Sequence, residues 1–156
     1  MISPFLAFRP SRRQKHIAAL REEARRCGLR VQIVPDATAE QNDRSPVAVR
    51  YLLPWAVTEE GQTDAGQWVL VRNYSRGQPS IWPDWRWFKN EAPGKLQQAV
   101  ASGLSVLPEA VSGLAGDNQG LSIYWQERGG VEQVQIIAQA LLTIRQAISE
   151  LSQGLR

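Results

Sequence analysis

The stretch VEQVQIIAQALLTIRQAISEL, residues 131–151, carries the clearest structural signal in this sequence. Its apolar side chains recur every three or four residues, which is the period of an α-helix with one buried face. The members of this stripe are Val131, Val134, Ala138, Leu141, Ile144, Ile148 and Leu151, widened by Ile136, Ile137 and Leu142. The sequence therefore predicts a long C-terminal helix that forms the centre of the hydrophobic core.

Directly before this helix the pattern predicts a β-hairpin. Residues 110–114 and 121–126 are rich in apolar residues and flank the five-residue segment Gly-Asp-Asn-Gln-Gly at 116–120, which is typical of a turn. The pair Gly129-Gly130 then separates the hairpin from the helix. Such a pair could present free backbone N–H groups to an anion, but it serves backbone geometry far more often.

The middle of the chain favours strands. Residues 47–53 and 67–73 are rich in Val, Leu and aromatic residues, and the turn-like segment between them indicates an antiparallel pair with a long connection. Residues 81–88 favour a further strand, which Pro83 would confine to an edge or a bend. A short helix is expected over residues 94–102.

The N-terminal part predicts a helix followed by a strand. Ser11 and Gln14 have the spacing of a capping box, which starts a helix expected over residues 12–27. Gly28 supplies the left-handed residue that commonly ends a helix. In residues 29–33, Leu, Val and Ile alternate with polar residues, which is the period of a strand with one buried face.

The order of these elements lacks the sustained strand–helix–strand alternation of a parallel sheet. We therefore predict an α+β fold: a mostly antiparallel sheet of about five to six strands, covered by the N-terminal helix, a short middle helix and the long C-terminal helix. Residues 11–156 are expected to form one domain. Residues 1–10 are expected to be an apolar stub that could end a membrane anchor.

Positive charge is concentrated at the N-terminus. Residues 1–30 carry a net charge of +6, and because the whole chain carries +3, the remainder carries −3. This distribution argues against a nucleic-acid partner bound across the domain and favours a basic helix that could bind a membrane surface or a membrane protein. The cations of this segment are Arg9, Arg12, Arg13, Lys15, Arg21, Arg25, Arg26 and Arg30.

Residues 5–20, FLAFRPSRRQKHIAAL, resemble the membrane-exit segment of YajC, the small accessory subunit of the Sec preprotein translocase. In that family an apolar membrane helix ends in an aromatic residue, followed by Arg-Pro and a basic helix. Beyond Leu20 the chain departs from that pattern. It is also similar to a group of uncharacterised gammaproteobacterial proteins with an Arg-Pro-Ser start and a Tyr-Trp-x-Glu-Arg-Gly-Gly turn, here residues 124–130. Some of these carry a translocase-subunit label, which implies a location at the membrane.

Residues 1–8, MISPFLAF, are apolar but too few to span a bilayer, which takes about 20 residues. They also make a poor signal peptide, because the charges follow the apolar run. We expect them to be the end of a membrane segment, or to lie against a bilayer, with Arg9, Arg12, Arg13 and Lys15 on the cytoplasmic side. The alternative is an ordinary terminus ahead of a basic helix.

No catalytic, metal or cofactor motif is found in the sequence. The single histidine, His16, and the single cysteine, Cys27, lie eleven residues apart, which is about 16 Å along a helix, so they cannot form a catalytic dyad. One Cys and one His also leave no transition-metal site and no disulfide, which favours a reducing compartment such as the cytoplasm. The acidic loops 36–43 and 59–64 lack the ligand pattern of a calcium loop.

Tryptophan is the least ordinary feature, with six residues, three of them in IWPDWRWF at 81–88. Trp82, Trp85 and Trp87 with Arg86 could form a surface that stacks saccharide rings or bases. Large aromatic residues also cover the face of a small sheet, and we favour this packing interpretation.

Together these observations predict a noncatalytic accessory or interaction protein at the cytoplasmic side of the inner membrane, linked to protein export. The alternative is an aromatic-lined binding module for saccharide or single-stranded nucleic acid. No motif points to a particular small-molecule ligand.

Overall fold

The computed structural model describes residues 9–36, 38, 47–57, 65–73 and 75–154, and within them it shows the expected α+β fold. The sheet has seven strands, more than expected, because a two-residue strand is too short to leave a periodic pattern. The elements in chain order are α1 (Arg12–Arg26), β1 (Arg30–Pro35), β2 (Val47–Pro54), β3 (Trp68–Arg72), β4 (Gln78–Pro79), β5 (Trp85–Trp87), α2 (Gly94–Leu104), β6 (Val111–Gly116), β7 (Gly120–Trp125) and α3 (Val131–Gly154).

The strands are ordered β1-β2-β7-β6-β3-β5-β4, and every neighbouring pair is antiparallel. The prediction that β2 and β3 pair with each other is therefore wrong. The β6–β7 hairpin lies between them, with β7 paired to β2 and β6 paired to β3. β6 and β7 are buried on both faces along most of their length, which suits them to the middle of the sheet.

The predicted hairpin is present, with a loop of three residues rather than five. The carboxylate of Asp117 accepts hydrogen bonds from the backbone N–H groups of Gln119 (2.7 Å) and Gly120 (3.2 Å), which tightens the turn. A Cβ atom at Gly120 would collide with the carbonyl oxygen of Leu53 on β2. Glycine at this position therefore lets β7 approach β2 closely.

Only part of the predicted strand 81–88 forms. Residues 81–84 make a turn, in which the hydroxyl of Ser80 accepts from the N–H of Trp82 (3.1 Å) and donates to the carbonyl of Trp85 (2.6 Å). Pro83 lies in this turn and has no N–H to give to a sheet. β5 consequently begins at Trp85 and is covered at its outer edge by β4.

The helices pack on one face of the sheet, and side chains from all three join one core cluster with the alternating residues of the central strands. α3 contacts both α1 and α2. Its buried residues are Val134, Ile137, Ala138, Ala140, Leu141, Ile144 and Ile148, which confirms the inner part of the predicted stripe. Three residues of the predicted stripe are not buried: Val131, Ile136 and Leu151 are 41%, 43% and 37% exposed.

Leu141→Ala should lower the free energy of unfolding by about 2–5 kcal/mol, because the Leu141 side chain is fully buried in the core and its truncation leaves a cavity. Urea denaturation followed by circular dichroism measures this loss. Leu151→Ala is the matched control in the same helix and should cost under about 1 kcal/mol, because Leu151 is already exposed. Equal losses for the two variants would contradict the placement of α3.

Candidate functional site

The four residues proposed as a binding surface do not share one surface. Trp85 and Trp87 point towards the helices and are 5% and 2% exposed, whereas Arg86 points to the opposite face of the sheet, as strand alternation requires. The guanidinium of Arg86 donates to the carbonyl of Gly77. Trp82 is half-buried and lies against Trp87. The rings of Trp85 and Trp87 therefore belong to the core and have almost no area to offer a ligand.

Aromatic packing around Trp87 extends into the centre of the domain. Its ring meets Trp68 edge-on at 6.0 Å and Trp82 at 6.1 Å between ring centroids. The guanidinium of Arg72 lies 4.5 Å from the ring of Trp85, which is a cation–π contact. The aromatic rings are therefore in contact with other side chains of the domain, in agreement with the interpretation that they pack against the sheet.

A buried carboxylate forms the most specific polar cluster of the domain. Glu127 is 2% exposed and follows β7, where its positive φ of 53° turns the chain towards α3. Arg21 of α1 donates to both of its carboxylate oxygens, with Nε–Oε1 at 2.7 Å and Nη2–Oε2 at 2.9 Å. The hydroxyl of Tyr51 on β2 donates to Oε1 at 2.9 Å. We call Arg21, Tyr51 and Glu127 the carboxylate clamp.

The protonation states in the carboxylate clamp follow from burial and charge. The hydrogen bond to Glu127 raises the pKa of Arg21, so its guanidinium stays charged. Burial raises the pKa of Tyr51 well above its usual value, and the hydrogen bond to the Glu127 carboxylate adds to this effect. Tyr51 therefore remains a neutral donor. With every member engaged by another, the clamp is suited to holding elements together rather than to acid–base chemistry.

The four cations predicted to lie next to the membrane, Arg9, Arg12, Arg13 and Lys15, divide into one structural cation and three others. Arg13 donates through Nη1 to the carbonyl of Glu127 (2.9 Å) and through Nη2 to that of Gln126 (3.0 Å). It adds a second attachment of α1 to the turn that follows β7. The other three of these four, Arg9, Arg12 and Lys15, are exposed and have no ion pair with any residue in the described part of the chain; we call them the exposed cations.

The two residues considered for nucleophilic catalysis stay apart. His16 is exposed on α1, and Cys27 caps the C-terminal end of the same helix. Burial and the nearby Glu23 carboxylate raise the pKa of the Cys27 thiol, which leaves little of the reactive thiolate at neutral pH. Among the described residues no group of three or more His, Cys, Asp or Glu side chains could hold a metal ion. Both acidic loops considered for calcium lie largely outside the described residues.

The exposed cations are recognisable in the sequence, whereas the carboxylate clamp is not. In the sequence Glu127 stands beside Arg128, and such a pair needs no function, whereas its partners Arg21 and Tyr51 are 106 and 76 residues away. One local signal was present. Glu127 lies two residues after Trp125, in the same alternation as the apolar residues 121, 123 and 125, so it is placed where a charge must be buried and paired.

Arg21→Met should lower the free energy of unfolding by about 3–5 kcal/mol, because it leaves a buried carboxylate without its countercharge. Arg25→Met is the matched control one turn along α1. Its partner Glu22 is exposed, so this change should cost about 0–1 kcal/mol. Chemical denaturation at neutral pH measures both. A loss for Arg21→Met no larger than that for Arg25→Met would contradict a structural role for the pair.

The raised pKa of Tyr51 predicts a pH dependence of stability at alkaline pH. The unfolded chain loses the phenolic proton near pH 10 while the folded chain keeps it, so the contribution of Tyr51 is complete below about pH 10 and declines above it, by up to about 1.4 kcal/mol per pH unit. Tyr51→Phe should cost about 1–3 kcal/mol at pH 8 and progressively less at higher pH. Urea denaturation from pH 8 to 11 tests this, with Tyr124→Phe as control. A pH-independent difference between wild type and Tyr51→Phe would contradict it.

Comparisons with known proteins give no family assignment. No protein-family model matches the chain, and neither the curated proteins nor the solved structures contain a significant match. Within the described residues, none of the helices has both the length and the apolar character needed to cross a membrane. A function for this chain must therefore be inferred from the chemistry of its surface and of the clamp.

Proposed function

We propose that this chain is a noncatalytic accessory or interaction protein that binds the cytoplasmic side of the inner membrane and serves protein export. The observation that carries the proposal is the position of Arg9, Arg12 and Lys15. They are exposed, have no ion pair with a described residue, and directly follow the apolar residues 1–8 of the sequence. Cations next to an apolar run are what an anionic lipid surface attracts.

The attachment of α1 supports a surface role for its first turns. Leu20 and Ala24 bury one side of the helix, and the carboxylate clamp fixes its rotation through Arg21. The hydrogen bonds of Arg13 hold the beginning of the helix against the domain. Arg12 and Lys15 are thereby presented on a fixed helix, with Arg9 just before it, which lowers the entropy cost of binding a flat, charged surface.

The link to export rests on the resemblance of residues 5–20 to the membrane-exit segment of the translocase subunit YajC. The two segments that carry the resemblances, the N-terminal segment and the turn at 124–130, contact each other in this structure. Arg13, just after the Arg-Pro-Ser start, donates to carbonyls of Gln126 and Glu127 within the turn at 124–130. The raised pKa of the Cys27 thiol and its separation from His16 favour a noncatalytic role.

Removal of the three exposed cations should weaken binding to anionic vesicles. The variant Arg9→Gln, Arg12→Gln, Lys15→Gln should partition into phosphatidylglycerol vesicles about 100-fold less than wild type, since each cation near the surface contributes about 1 kcal/mol. Co-sedimentation at low salt measures the partition. Wild type should stay in the supernatant with phosphatidylcholine vesicles, and about 0.5 M salt should release it from the anionic ones.

The matched control removes three exposed cations elsewhere: Arg76→Gln, Lys89→Gln, Lys95→Gln. It changes the net charge equally and should retain most of the binding. If both triple variants lose binding to the same extent, or if wild type does not bind, membrane docking through α1 is wrong. The export link has a separate readout, since translocase subunits should co-purify with detergent-extracted wild type and not with the α1 variant. Vesicle binding without that co-purification would leave the membrane role and remove the export link.

A further inference from the structure

The face of the sheet turned away from the helices carries a hollow of about 130 Å³. Val69 and Val71 of β3 line it, and they alternate with Trp68 and Leu70, which point into the core. Ala48 of β2 also lines the hollow. The hollow is therefore separated from the carboxylate clamp and from the cations of α1.

Two local features make room for this hollow. β6 contains an irregularity in its pairing with β7 between Val111 and Gly113. Gly113 has no side chain, and a Cβ atom there would stand 3.2 Å from the ring of Tyr124, tighter than ordinary contact. The absence of a side chain at Gly113 thus leaves space beside the Tyr124 ring for one further flat or compact group.

The volume of the hollow fixes the size of its occupant. An engineered apolar cavity of about 150 Å³ in another protein binds benzene, so about 130 Å³ accepts a single ring or an alkyl group of similar bulk. The walls formed by Ala48, Val69, Val71 and Tyr124 are mostly apolar and suit such a group.

Two charged side chains of opposite sign line the hollow, Arg72 and Asp36. Arg72 is committed elsewhere, with Nη1 donating to the carbonyl of Pro108 at 2.8 Å and the guanidinium stacked on Trp85. Asp36 uses Oδ1 to accept from the backbone N–H of Thr38 at 2.9 Å. Its second oxygen, Oδ2, has no hydrogen bond with the described residues. Asp36 therefore has an oxygen available to pair with a cation, whereas the Arg72 guanidinium, though charged, is already engaged by a carbonyl and an indole ring.

We propose that this hollow binds a small amine, with a single ring or similar apolar body between Val69, Val71 and Tyr124 and its ammonium group paired with Asp36. Apolar burial supplies affinity and the carboxylate supplies selectivity for the cation. The site is independent of the membrane role proposed for α1, and either can fail without the other.

Three probes of equal ring size test the proposal: benzylamine, benzyl alcohol and benzoate. Benzylamine should shift the backbone amide resonances of Val69, Val71 and Gly113 in ¹H–¹⁵N spectra, with a dissociation constant of about 0.1–1 mM. Benzoate should bind at least about tenfold more weakly, because it cannot pair with the Asp36 carboxylate, and Arg72 is already engaged by the carbonyl of Pro108 and the ring of Trp85. Asp36→Asn preserves the shape of the side chain and should remove the preference for benzylamine over benzyl alcohol.

Ala48→Leu should fill the hollow and abolish the shifts, whereas Ala19→Leu on the exposed side of α1 is the matched control and should leave them unchanged. The spectrum of each variant reports whether it is folded, and the comparison of the three probes on wild type needs no variant. The proposal is overturned if benzylamine at about 10 mM shifts none of these amides, if benzoate binds as well as benzylamine, or if Asp36→Asn keeps the preference.

Discussion

A carboxylate removed from water must find its partners within the protein, and this constraint at Glu127 ties the domain together. Its partners come from two other elements, the guanidinium of Arg21 on α1 and the hydroxyl of Tyr51 on β2. The turn from β7 into α3, the rotation of α1 and the position of β2 are thus mutually dependent. A buried ion pair adds little net stability compared with apolar packing, but it is costly to break, so it selects one arrangement of these elements.

Patterns among residues close in the sequence were sufficient to predict most of the helices and strands. The periodicity of α3, the turn of the β6–β7 hairpin and the capping box at Ser11 and Gln14 all lie within a few residues, and the structure contains each of them. The order of the strands was not predictable in this way. Neighbouring segments were assumed to pair, whereas β2 and β3 are separated by a hairpin that follows both in the sequence, because that hairpin is buried on both faces.

The same distinction explains which functional residues could be predicted. The excess of cations at residues 1–30 is visible in the sequence, but only the contacts of Arg13 and Arg21 show which of them serve the fold and which stay available to a partner. In the tryptophan-rich segment, the alternation of Trp85 and Trp87 with Arg86 already implied opposite faces of a strand. Only the burial of both indoles shows that the core uses them.

The separation of 106 residues between Arg21 and Glu127 has a consequence for biosynthesis. A ribosome that adds about 5–20 residues per second makes the partner of α1 roughly 5–20 seconds after α1 itself. During that interval neither the clamp nor the contact with α3 can form, so the basic helix leaves the ribosome with only its neighbour β1 to pack against. The nascent chain therefore presents its most positively charged segment before the rest of this domain is made, and the completed domain later fixes the orientation of that segment.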